Sequence, residues 1–122
     1  MAYEIIDEGT GLLLRFSGDI ATKEIMAANM EAWEHPNWHA HEYQGWDYTK
    51  VGTMTMDEPD AHAFAKMDAV AFQSTLPMKI AFVAVSQHII DICEAYGETL
   101  DAEEAESRVF TDEATARQWI GG

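Results

Sequence analysis

The sequence predicts an α/β domain: a mixed, mostly parallel sheet of about five strands flanked by helices. Three observations predict it. Strand-like and helix-like stretches alternate in the order ββαβαβαβα, the pattern of a parallel sheet with crossover helices. The first two strands are joined by a short link containing two glycines, which suits a hairpin and makes the sheet mixed. Met78 to Val85 is apolar at both alternating sets of positions, as expected for a central strand covered on each face.

The elements follow in order. Tyr3 to Asp7 and Leu12 to Phe16 read as strands around the turn Glu8-Gly9-Thr10-Gly11, and Ser17-Gly18-Asp19 breaks the second. Thr22 is placed to cap a helix, with Glu24 near the positive end of its dipole. Ile25, Met26, Met30 and Trp33 form its apolar stripe, and Pro36 ends it near Glu34 or His35. Tyr43 to Val51 has strand propensity, with Trp46 and Tyr48 on one face and Asp47 and Thr49 on the other. Gly52 to Met56 fits either state. Asp57-Glu58-Pro59-Asp60 is a helix start: an acidic cap, an early proline and negative charge at the dipole's positive end. Ala61, Phe64, Ala65, Asp68 and Phe72 share one side of that helix, which Leu76-Pro77 closes.

After the Met78 strand, Ser86 caps a helix whose stripe is Ile89, Ile90, Cys93 and Tyr96, with Gly97 at the left-handed closing position. Leu100 to Glu106 is an acidic stretch, loop or helical extension. Ser107 to Phe110 is a last short strand, and Thr111-Asp112-Glu113 opens a final helix carrying Trp119 and Ile120, ended by Gly121-Gly122. No repeat, low-complexity tract or linker divides the chain, so residues 1–122 read as one domain.

Composition excludes whole classes of partner. Lys and Arg number 7 against 22 Asp and Glu, a formal charge of −15. No two basic residues are adjacent, so no basic strip exists to meet phosphates, and nucleic acid and anionic membranes are excluded as partners. No apolar run is long enough to span a bilayer, and no basic segment precedes an apolar one as in a secretory signal. The acidity suits a solvated surface or a basic protein partner. Cys93 is the sole cysteine, so no intrachain disulfide forms, in keeping with a cytoplasmic location. It reads as a small core residue; a nucleophile would want a nearby cation.

Three segments carry a family resemblance over nearly the whole chain. Tyr3–Gly18 is a hairpin ending Phe16-Ser17-Gly18. Asp47-Tyr48-Thr49-Lys50-Val51 matches a D-apolar-S/T-x-V central strand. Arg108 to Ala116 matches a closing strand with an F-x-D-E-x-x-A helix start. Together they resemble the SpoIIAA-like family, within the STAS group of anti-sigma-factor-antagonist folds. The resemblance implies a non-enzymatic regulatory or protein-interaction module that needs no cofactor. In phosphoswitch members of the group, a serine in a D-S-S/T-G segment after the central strand is phosphorylated. That segment falls here on Thr55-Met56-Asp57-Glu58, where the serine position is Met56. The resemblance therefore implies a module without a working phosphoserine switch. The expected partner-binding surface is Thr53, Thr55, Asp57, Glu58 and Asp60, at the carboxyl end of the central strand, where open α/β sheets bind things.

Other residues suggest chemistry of their own. His35, His39 and His41 are imidazoles spaced for a transition metal, with His39 and His41 on one side of an extended segment. Met26, Met30, Trp33, Trp46 and Met67 fit an apolar pocket for a lipid-like ligand, and equally core filling. Exposed Met and Trp would suit a homodimer patch. Asp68 and Asp47 are candidates for buried, acid–base-competent carboxyls. Neither a catalytic triad motif nor a phosphate-binding glycine loop is present.

Overall fold

The fold is seen in a computed structural model, which describes residues 3–75, 77–100 and 105–121. Strands β1 (Tyr3–Asp7) and β2 (Gly11–Ile20) form an antiparallel hairpin. β3 (Tyr43–Met54), β4 (Met78–Val83) and β5 (Ala105–Phe110) follow in parallel with β2, giving the sequential order β1-β2-β3-β4-β5. Helices α1 (Thr22–Trp33), α2 (Glu58–Ala71) and α3 (Gln87–Thr99) are the crossovers, and α4 (Glu113–Gly121) follows β5. No helix among the described residues is long and apolar enough to cross a membrane.

Crossovers that advance steadily through a sheet in one hand put their helices on one face. Residues from α1, α2 and α3 accordingly share one core with alternate strand residues Leu12, Leu14, Phe16, Trp46, Tyr48, Ile80 and Phe82. Leu14, Trp46, Phe82 and Val109 lie side by side across four strands. The opposite alternation, Leu13, Gly45 and Ala81, faces α4, and the small Gly45 and Ala81 let the helix approach. Gly11 is fixed by another close approach. The Tyr43 ring occupies the space a Cβ would need.

Several boundaries differ from expectation, each for a physical reason. β2 does not stop at Phe16 but continues to Ile20, because register shifts after Arg15 and Gly18 absorb the Ser17-Gly18-Asp19 segment into the ladder. Gly18 takes φ 79°, a conformation glycine adopts without penalty. α1 turns Ile25, Ala28, Asn29 and Ala32 to the core, while Met30 is 44% exposed. The alanines win because they allow the helix to lie close to the sheet. The cap of α1 is not the Thr22 side chain: the Thr22 N–H donates to Thr55 Oγ1 at 3.1 Å, and the Ala21 N–H to Glu24 Oε1 at 3.1 Å. α3 runs through Gly97 to Thr99, and Gly97 lets the helix pass β5, since a Cβ there would sit 2.7 Å from Ser107 Oγ. α2 ends at Ala71 in a tight turn over Phe72–Ser74. The expected stop at Leu76 and the acidic residues 101–104 lie outside the described residues.

Candidate functional site

The five rim residues come together at the carboxyl ends of β2 and β3, beside the N-termini of α1 and α2. The Thr53 hydroxyl donates to Asp19 Oδ1 at 2.8 Å. Thr55 Oγ1 accepts the α1 N–H described above. Asp57 caps α2: its Oδ1 accepts the Asp60 N–H at 3.0 Å, and Asp60 Oδ2 accepts the Asp57 N–H at 3.2 Å. This reciprocal pair arises because Asp57 and Asp60 are three residues apart across the first helical turn. Thr53, Thr55, Asp57 and Glu58 are exposed. Met56 points inward and is buried. The helix ends here would attract anions, but Asp57, Glu58 and Asp60 already occupy that field. Between Val51 and Ala65 there is no Lys or Arg. The rim therefore suits a cationic partner.

The histidine segment folds differently from the expected set. His35 and His41 meet Asp7, not His39. Their ligand atoms lie within 4.8 Å of one another. His39 is exposed, its Nδ1 3.3 Å from the Ser74 carbonyl. The segment between Trp38 and Ala40 is a helical turn, so His39 and His41 do not alternate as on a strand. Asp7 was not legible in the sequence as a partner, because it stands 28 residues before His35 on the hairpin. Its carboxylate is held down to about 2, chiefly by the Gly9 N–H, then by Asn37 and His41. His41 Nε2 lies 3.1 Å from Asp7 Oδ1, and its buried Nδ1 has no partner among the described residues. An orphan lone pair costs less than an orphan N–H, so the His41 proton sits on Nε2, facing Asp7. His35 Nδ1 accepts the Asn37 N–H at 3.1 Å, which puts the neutral ring's proton on Nε2 as well. Ligating histidines need the reverse arrangement, with the far nitrogen donating to an acceptor. Asp7 and His41 form a hydrogen-bonded clasp between the hairpin turn and the exit of α1, with His35 Nε2 standing 4.0 Å from Asp7 Oδ2.

A cavity of about 40 Å³ lies in the main core, lined by Trp46, Met54, Met56, Phe64 and Phe82 among others. Of the expected pocket residues only Trp46 lines it; Met26, Trp33 and Met67 pack at the rim of the core, and Met30 faces solvent. Asn29, Asp68 and Tyr96 give it one polar wall. Asp68 is 4% exposed. It accepts from Asn29 Nδ2 at 2.9 Å, Trp33 Nε1 at 3.1 Å and the Tyr96 hydroxyl at 2.6 Å. Burial raises it to about 6 against the pull of those three bonds. Burial also pushes the Cys93 thiol well up, so it is a core residue and not a thiolate. Asp47 is half-buried; its Oδ1 accepts from the Thr49 N–H and hydroxyl, and its Oδ2 lies 3.7 Å from Arg15 Nε.

No known family profile matches the chain, and no curated protein matches it. Solved structures do. One is an uncharacterised DUF3478-family protein with a SpoIIAA-like fold from Shewanella loihica PV-4: 14% identical, covering 98% of this chain and 92% of that one, TM-score 0.58. Another is the anti-sigma factor antagonist SpoIIAA in its unphosphorylated form: 11% identical, covering 99% of this chain and 98% of that one, TM-score 0.63. With the strand order and the helical layers described above, these likenesses establish that the chain has a SpoIIAA-like, STAS-type α/β fold.

Proposed function

We propose that the chain is a non-enzymatic, cytoplasmic regulatory module. It docks a cationic segment of a protein partner on the rim formed by Thr53, Thr55, Asp57, Glu58 and Asp60. The observation that carries this reading is the rim's charge: Asp57, Glu58 and Asp60 open α2 there, Asp19 is bound to Thr53, and residues 51–65 contain no Lys or Arg. A phosphoserine switch has no place in the reading, since Met56 is buried and bears no hydroxyl. The two threonine hydroxyls are engaged within the fold. Acid–base catalysis finds no support either: among the described residues, the one carboxyl raised by burial is closed inside the core by three donors.

The test is affinity capture from the native proteome with the wild type and with the double variant Thr53→Lys/Glu58→Lys. Both positions are exposed, and a melting curve checks that the variant stays folded after losing the Thr53–Asp19 hydrogen bond and the favourable Glu58 charge at the α2 N-terminus. A partner protein is expected whose recovery falls about tenfold or more with the variant. Equal recovery by both proteins, or a lipid in place of any protein, contradicts the reading. The alternative, a carrier of a lipid-like ligand, would use the core cavity that Trp46 lines. At about 40 Å³ that cavity is water-sized, against roughly 300–1,000 Å³ for ligand pockets.

A further inference from the structure

The chain carries seven basic residues, and four of them meet at α4. Arg117, on the helix, grips both oxygens of Glu8 at 2.7 and 2.8 Å. Arg15, from β2, donates to Glu113 Oε1 at 3.0 Å. Lys79, from β4, donates to the Trp119 carbonyl at 2.9 Å. Lys79 and Arg108 also lie over the Trp119 ring, 5.3 and 5.4 Å from its centre. Apolar anchoring is confined to a few side chains, among them Trp119 against Phe110 with ring centres 5.6 Å apart. Ala116 is the one α4 residue buried outright, packed on Ala81 and Val83 with Trp119 and Ile120 half-buried beside it. A helix of 9 residues is too short to persist alone in water. Its attachment therefore rests heavily on charge.

We propose that α4 is an ionically latched cover that opens before the rest of the domain, uncovering Leu13, Ala81 and Val83, and that salt loosens it while tightening everything else. The two directions have separate causes. Salt screens the partly exposed ion pairs that hold α4. It also screens the self-repulsion of a chain with net charge −15, which favours the compact core.

Hydrogen exchange of the full chain, followed by mass spectrometry in KCl, reads both. Raising salt from about 0.1 M to about 1 M shrinks the screening length from about 10 to about 3 Å. Amides of α4 are expected to exchange about three- to tenfold faster, while those of Ile89–Tyr96 in α3 slow down. Arg117→Met keeps the aliphatic stem and removes the grip on Glu8. Its α4 exchanges fast at low salt already and loses most of the salt response. Slowing of α4 in parallel with α3, or a wild-type salt response undiminished in Arg117→Met, overturns the latch. Should the variant fail to fold, the opposed salt responses of α3 and α4 in the wild type decide alone.

Discussion

Asp68→Ala lowers the free energy of unfolding by about 3–5 kcal/mol, measured by urea denaturation. The size follows from what the carboxyl holds. Asn29, Trp33 and Tyr96 come from α1 and α3 and all donate to it inside the core. Alanine leaves two buried donors, Asn29 Nδ2 and the Tyr96 hydroxyl, and the half-buried Trp33 Nε1 without an acceptor. Asp68→Asn behaves in the opposite way. It preserves shape and an acceptor oxygen, and the Tyr96 hydroxyl rotates to accept from the new amide. It also removes a titration. Asp68 rises from an ordinary 3.8 to about 6 in the folded chain, so between those values the native state holds a proton that the unfolded chain has released. Stability from that proton is complete below 3.8 and is lost as pH rises through about 6. The swing is on the order of 3 kcal/mol. Melting curves from pH 4 to 8 should show the wild type losing ground to Asp68→Asn up to about pH 6 and little further loss beyond it. A difference that does not change with pH would mean the buried carboxyl is ionised throughout.

Trp46→Ala is expected to cost about 3–5 kcal/mol in the same measurement. Trp46 stacks on Phe16, ring centres 5.7 Å apart and 12° from parallel, and sits in register between Leu14 and Phe82. Its Nε1 donates to Gln44 Oε1 at 2.9 Å, and Gln44 Nε2 already lacks a partner among the described residues. Removing the indole therefore strands a buried amide and merges a new void with the cavity Trp46 lines. The enlarged hole is on the order of 150 Å³, a size that takes up benzene-like molecules. Added indole should then raise the melting temperature of Trp46→Ala and leave the wild type unmoved. An equal rise in the wild type would show that the native cavity already opens to ligands, and would favour the carrier reading.

What the sequence disclosed follows from which forces are local. Alternation of strand and helix patterns depends on neighbouring residues, and it foretold the element order through to α4. The Asp57 cap and the inward stripe from Ala61 to Phe72 were legible for the same reason: the partners lie within a turn or two of each other. Asp68 stood out as the one acid on that stripe, and the core closes around it. The α1 face was misread because hydropathy favours Met30, whereas close packing on the sheet favours Ala28 and Ala32. Contacts set by topology left no local mark. Asp7 joining His35 and His41, Thr55 capping α1, and Arg117 reaching Glu8 across 109 residues all depend on the finished sheet. The length of β2 was hidden because its bulges absorb residues that read as a turn.

Recognition at the rim is tested by a photo-crosslinking residue placed at Thr53, with one at Glu98 on α3 as the control. Both positions are exposed, and melting curves check that both variants keep the fold. In a native extract the probe at position 53 should form a discrete covalent product with a protein bearing a basic segment, and the probe at position 98 should not. A product from both positions alike, or from position 98 alone, would place the working surface elsewhere on the molecule.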